Sequence, residues 1–203
     1  MEIFNIVKES VSLVIMGAGI VIAGMALYTW KKEFIGKKKI DLACDIVEQA
    51  CNIKDIIDYA RSPLSLFSEQ SEIKEELKKD NVEIKERKIF YLIPKYRLRK
   101  NREKIETFLS LRNKAQLYWD KEILSLFGRL HRIIQDILNT SESLYSQIMP
   151  EEAILIAKKI AFDSCNETDE IKIKVQKIID EFKLNLEPLY KDRLTKWKKK
   201  DKK

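Results

Sequence analysis

Residues 121–148, KEILSLFGRLHRIIQDILNTSESLYSQI, carry Ile123, Leu126, Phe127, Leu130, Ile133, Ile134, Ile137, Leu144, Tyr145 and Ile148 at steps of three and four. That spacing is the 3.6-residue period of an α-helix with one apolar face, and it leaves no alternation of period two for a strand. The same rhythm runs upstream through Ile105, Phe108, Leu111, Ala115, Tyr118 and Trp119, and it predicts one long helix over 95–148, continuous or divided near Trp119 and Asp120. Pro150 opens another helix, with Glu151 and Glu152 favourably placed at its positive end, and Cys165-Asn166 ends it. Thr168, Ile171, Val175, Ile178 and Phe182 make a last amphipathic helix before Pro188.

Working towards the N-terminus, Leu42, Ala43, Ile46, Ala50, Ile53, Ile57 and Ala60 share one face of a helix spanning 40–61. It stops at Arg61-Ser62-Pro63, because the residue before proline is driven out of the α region. Leu64–Ser71 reads as a serine-bearing connector. Of the seventeen residues 72–88, twelve are charged, and Ile73, Leu77 and Ile84 form a narrow seam, which predicts a solvated helix. Ile89–Ile93 is a short apolar run, and Pro94 is placed to start the next helix. With only five glycines and four prolines among 203 residues, the frequent turns of a sandwich or barrel cannot be built. The fold class expected is all-α: broad apolar faces on several helices, buried against one another in an antiparallel bundle.

One segment follows a different rule. Ser10–Trp30, SVSLVIMGAGIVIAGMALYTW, holds no charged residue, and eight of its residues are Leu, Ile or Val. Those eight contribute about −2 to −5 kcal/mol of apparent insertion energy, with no charge to oppose them. A helix of this length is ~31 Å long, matching a hydrocarbon core of ~30 Å. A cleaved signal peptide would have a basic start and a shorter apolar run, whereas Glu2, Lys8 and Glu9 precede this one and lysines follow it. The expectation is a transmembrane anchor with Tyr28 and Trp30 at its interface. Lys31, Lys32, Lys37, Lys38 and Lys39 follow it, against Lys8 before it. Lysine bias of this sign sets the N-terminus outside and the remainder in the cytoplasm, with the anchor in the cytoplasmic (inner) membrane. Gly19 and Ala23, or Ser10, Gly17 and Gly24, form stripes of small residues; they either seat a homodimer or reflect the ordinary composition of membrane helices. Gly36 marks a bend after the anchor, or the two helices run on as one rod.

The organisation expected is therefore 1–36 as a short outer segment, anchor and basic collar, 37–190 as the bundle, and 191–203 as a basic tail. The tail has eight basic residues against Asp192 and Asp201, and the net charge is +7. A strip held to anionic lipid, or a solubilising tail, is preferred there over nucleic acid. Cys44, Cys51 and Cys165 form no CxxC pair and leave one thiol over, which suits a reducing compartment. His131 is the one histidine, with no Cys, Asp or Glu four residues away, so it reads as a structural residue. No phosphate loop, HExxH or nucleophile elbow occurs, so no enzyme, cofactor, metal or small-molecule substrate is expected.

Trp30-Lys31-Lys32-Glu33, Gly36-Lys37-Lys38, Leu42-Ala43 and Ala60-Arg61-Ser62-Pro63, with Glu187-Pro188-Leu189, carry a resemblance. They resemble an uncharacterised family of short bacterial single-pass membrane proteins in which a helix closes on an Arg-Ser/Asn-Pro turn. The likeness is densest over 30–63, and the lysine and isoleucine richness and the charged stretch 72–88 depart from it. It implies topology and bacterial origin, and no activity. Arg61, Ser62 and Pro63 form the candidate interaction turn, either as a dipole-compatible helix end or as an anion or partner site. The function expected is a membrane-anchored helical scaffold that recruits a partner. The alternative is a tethered binder of anionic lipid or nucleic acid.

Overall fold

The computed structural model describes the backbone of residues 2–82, 84–146, 149–162 and 168–200, and side chains within those ranges from Ile15 to Glu187. The chain is all-α. Its helices are α1 (Glu2–Arg61), α2 (Phe67–Lys79), α3 (Ile93–Lys100), α4 (Arg102–Ala115), α5 (Lys121–Ser146), α6 (Glu151–Ala161) and α7 (Glu170–Lys200), with a 3₁₀ helix over Glu86–Leu92. No strand occurs among the described residues. Two compact units are formed, Met1–Asp41 and Leu42–Lys203.

The second unit is a helical bundle built around α5. Leu42, Ala43, Ile46, Ala50, Ile53, Ile57 and Ala60 of α1 are all buried, as their spacing predicts. They share a core with Phe108 and Leu111 of α4, Phe127, Leu130 and Ile134 of α5, and Val175, Ile178 and Phe182 of α7. Phe108 stacks on Phe127 at 4.8 Å, and Phe182 meets both edge-on, at 6.3 and 5.2 Å. Such offset and edge-to-face geometry suits the quadrupole of aromatic rings. A smaller cluster joins Ile73 of α2 to Ile89, Leu92, Ile93, Tyr96 and Tyr145. The flank of α6 buries Ala157 and Ala161 against Leu144 and Phe162.

Several expected boundaries move. The charged helix occupies 67–79 rather than 72–88, so the connector is shorter and Ile84 lies outside the helix. It stops because Asn81 takes a left-handed φ of 54°, while Val82 N–H reaches the Leu77 carbonyl at 2.9 Å and Asn81 N–H the Lys78 carbonyl at 3.2 Å. This is the paired-bond helix ending that asparagine tolerates and β-branched residues do not. Pro94 is the second residue of α3, one step in from the position expected. The long helix over 95–148 is three helices. At the first break the Asn101 side-chain amide donates to the Arg97 carbonyl at 2.9 Å, competing with the backbone ladder. At the second, Tyr118 and Trp119 N–H both converge on the Ala115 carbonyl, and both rings turn onto the core.

The helix after Pro150 ends at Ala161, where Phe162 becomes extended; the expected end at Cys165-Asn166 lies outside the described residues, as does Ile148. The last helix does not stop before Pro188 but runs to Lys200. Pro188 lacks the N–H that would bond the Leu184 carbonyl, and Leu184 is on an exposed face where water can take that bond.

Candidate functional site

Two places stand out, one in each unit. In the bundle, the end of α1 is locked by two buried arginines. Arg61, 1% exposed, pairs with Asp169 through both oxygens, at 2.8 and 2.9 Å. It also donates to the carbonyls of Lys159, Ile160 and Phe162 at 2.8, 3.0 and 2.9 Å. These carbonyls sit at the C-terminal end of α6, where no intrahelical donor remains, so a guanidinium fork serves as their cap. Asp169 in turn accepts the Lys172 N–H at 2.9 Å and so caps the start of α7. One side chain thereby fixes the end of α1, the end of α6 and the start of α7.

Arg97 repeats the device one step earlier in the chain of contacts. Its guanidinium is buried in a bidentate pair with Glu69, both bonds 2.8 Å, and lies over the Tyr59 ring at 4.6 Å. It donates to the carbonyls of Tyr59 and Ser62 at 2.9 and 2.8 Å, and to that of Leu64. Arg97 therefore caps α1 as Arg61 caps α6. Glu69 also accepts Tyr59 Oη–H at 3.1 Å and the Leu66 N–H at 3.0 Å. The Arg97 guanidinium holds the Glu69 carboxyl well below its ordinary value of 4.5, at about 2, with the Leu66 and Tyr59 bonds assisting against the cost of burial.

The result is a turn whose backbone is tied inward and whose apolar side chains face out. Ser62 is half-buried and Pro63 exposed, while Leu64 and Phe67 are 81% and 90% exposed and Leu66 is exposed beside them. Of the candidate turn residues, Arg61 is thus committed to internal partners and offers no free cation. The outward-facing residues are Pro63, Leu64, Leu66 and Phe67, which sequence spacing gave no reason to single out. No sequence signal pairs Arg97 with Glu69 or Arg61 with Asp169, which stand 28 and 108 residues apart.

In the first unit, the described apolar residues from Ile15 to Trp30 are exposed on every side: Ile15, Met16, Ile20, Val21, Ile22, Met25, Leu27, Tyr28 and Trp30 lie between 60% and 74% exposed. A Cβ added at Gly17, Gly19 or Gly24 would meet nothing within 4 Å, so no neighbour in the chain requires their smallness. Ala23 lies on the same exposed helix, and Ser10 falls outside the described side chains. Beyond this run, Trp30 stacks on Phe34 at 5.4 Å and the Lys38 ammonium sits 4.5 Å over the Phe34 ring. Lys31, Lys32 and Lys37 are exposed, and Lys39 is half-buried. Among the described residues no helix is long and apolar enough to cross a membrane; their side chains begin at Ile15, inside the uncharged run 10–30.

His131 is half-buried on α5, and its Nδ1 has no hydrogen-bond partner among the described residues. No group of three His, Cys, Asp or Glu side chains able to hold a metal occurs among the described residues. Cys44 and Cys51 are half-buried on α1. The side chains of the tail 191–203 and of Cys165 lie outside the described residues. No protein-family model matches the chain, and no curated protein or solved structure was found to be similar to it.

Proposed function

We propose that this chain is a single-pass membrane protein whose helical bundle recruits or scaffolds a protein partner and performs no catalysis. One observation carries the reading: the apolar residues of α1 between Ile15 and Trp30 are exposed on every side of the helix. A helix apolar on every side needs an apolar solvent on every side, which a bilayer supplies and water does not. The uncharged run of 21 residues in the sequence supplies the length, and the lysines after it supply an orientation, N-terminus out and bundle in the cytoplasm. The resemblance over 30–63 to short bacterial single-pass proteins supports the same topology.

The bundle's contribution is a rigid apolar surface. Binding through ordered residues avoids the cost of ordering them at contact. Leu64, Leu66 and Phe67 have that property, because Arg97 and Glu69 already hold the backbone that carries them. The scaffold reading also suits a bundle whose buried ionic groups are consumed in capping helices. The test is alkaline extraction of native membranes followed by crosslinking. Retention in the membrane pellet, with a crosslinked partner or homodimer, is the expected result. Release into the supernatant removes the anchor, and crosslinks that report isolated monomers alone remove the recruitment.

A further inference from the structure

The lysine collar is one-sided. At 100° per residue, Lys31, Lys32, Lys38 and Lys39 fall within an arc of about 120° centred on Ile35. Glu33 and Lys37 lie on the far side, four residues apart, the spacing and order in which glutamate and lysine attract on a helix. One face of this helix is therefore strongly cationic and the opposite face close to neutral.

Lys31 and Lys32 precede Lys38 and Lys39 by seven residues, ~10.5 Å of helix. That distance exceeds a headgroup layer of about 5–8 Å, taken as half the difference between a whole bilayer and its core. Helical side chains lean towards the N-terminus, and here the Lys38 ammonium rests 4.5 Å over the ring of Phe34, the residue one turn earlier. Phe34 is itself fixed by stacking on Trp30. The ladder Trp30–Phe34–Lys38 thus holds a third ammonium over the residue one turn closer in sequence to Lys31 and Lys32.

We propose that this face is a binding site for the phosphate of an anionic phospholipid headgroup, seated beside Ile35 and held by Lys31, Lys32 and Lys38. The inference rests on the membrane reading above and adds to it a lipid class and a side. It makes Phe34 a positioning residue, which no count of charges does.

The experiment uses the full chain carrying Trp197→Phe, so that Trp30 and Trp119 are its two indoles, in nanodiscs of phosphatidylcholine with a minority of phosphatidylglycerol. Bromine is placed on the acyl chains of one lipid or the other, and a Trp30→Phe blank removes the signal of Trp119. Expected is quenching of Trp30 by the brominated phosphatidylglycerol beyond its share of the mixture. Lys31→Gln, Lys32→Gln and Lys38→Gln each lower that enrichment by up to about fivefold, Lys37→Gln leaves it nearly unchanged, and Phe34→Leu lowers it although every charge is kept. Quenching in proportion to lipid composition, or an equal response to Lys37→Gln and Lys38→Gln, overturns the site and leaves the anchor standing. Quenching by neither lipid, together with extraction by alkaline carbonate, overturns the anchor and the site together.

Discussion

The two halves of α1 share one backbone geometry and opposite relations to their surroundings. Over Ile15–Trp30 apolar side chains occupy the whole circumference and all stand exposed. Over Leu42–Arg61 the apolar side chains gather mainly on one stripe, and that stripe is buried while Asp45, Glu48 and Tyr59 face out. The lesson is that apolar content does not by itself say what covers a helix. Periodicity does: a stripe asks for neighbouring helices, and a full circumference asks for an apolar medium.

That contrast can be broken or sharpened at four points. The largest effect expected is in the bundle half, at its end. Arg61→Leu strands Asp169 without its cation and leaves the carbonyls of Lys159, Ile160 and Phe162 uncapped. Removing one partner of a buried pair costs about 3–5 kcal/mol. Denaturant melts of the full chain in detergent should show this as a lowered midpoint. Membrane retention in cells should not follow it.

The reverse asymmetry is expected from Ile20→Arg. A charge at mid-span costs about 3 kcal/mol of apparent insertion energy, so an insertion assay should register a loss while the melting of the bundle stays put. If instead both variants lower bundle stability equally, the two halves of α1 are not energetically separate and the comparison fails.

A smaller effect should come from acid. Glu69 is held at about 2 in the folded chain against an ordinary 4.5. A depressed carboxylate stabilises the fold above its unfolded value, and that stabilisation fades as pH falls from about 4.5 towards 2. Thermal melts over this range should steepen their decline with falling pH in the parent and lose that component in Glu69→Gln, which starts less stable. An identical pH slope in the two would show that Arg97 does not depend on that charge.

The smallest stability change is expected from Leu64→Ser and Phe67→Ser. Both side chains are outside the core, and surface substitutions of this kind stay within about 0.5 kcal/mol. Their effect should fall on partner crosslinking instead, and a large stability loss would mean that this turn packs rather than binds.

Much of the bundle was legible in the sequence because burial leaves a period. The stripes of α1, α4, α5 and α7 were read from steps of three and four, and their described helical residues pack into the core and its two smaller clusters. Helix ends were less legible. Asp80-Asn81 ends α2 because asparagine accepts a left-handed φ, a property that a charge-dense stretch conceals. Asn101 ends a helix just before the apolar pattern begins at Ile105, through a side-chain bond to Arg97 that spacing of apolar residues does not register.

By itself the sequence determined that the chain is helical, which residues form its core, and where the uncharged run and lysines stand, since each depends on local spacing and composition. Tertiary structure alone decided what Arg61 and Arg97 do. From the sequence, Arg61 reads as a dipole-compatible helix end or a partner site, and Arg97 as one charge among several on its helix. Only the fold brings Asp169 and Glu69 to them across 108 and 28 residues and surrounds them with uncapped carbonyls. A guanidinium taken out of water needs all of those partners at once, and no local pattern records a requirement that is met from so far along the chain.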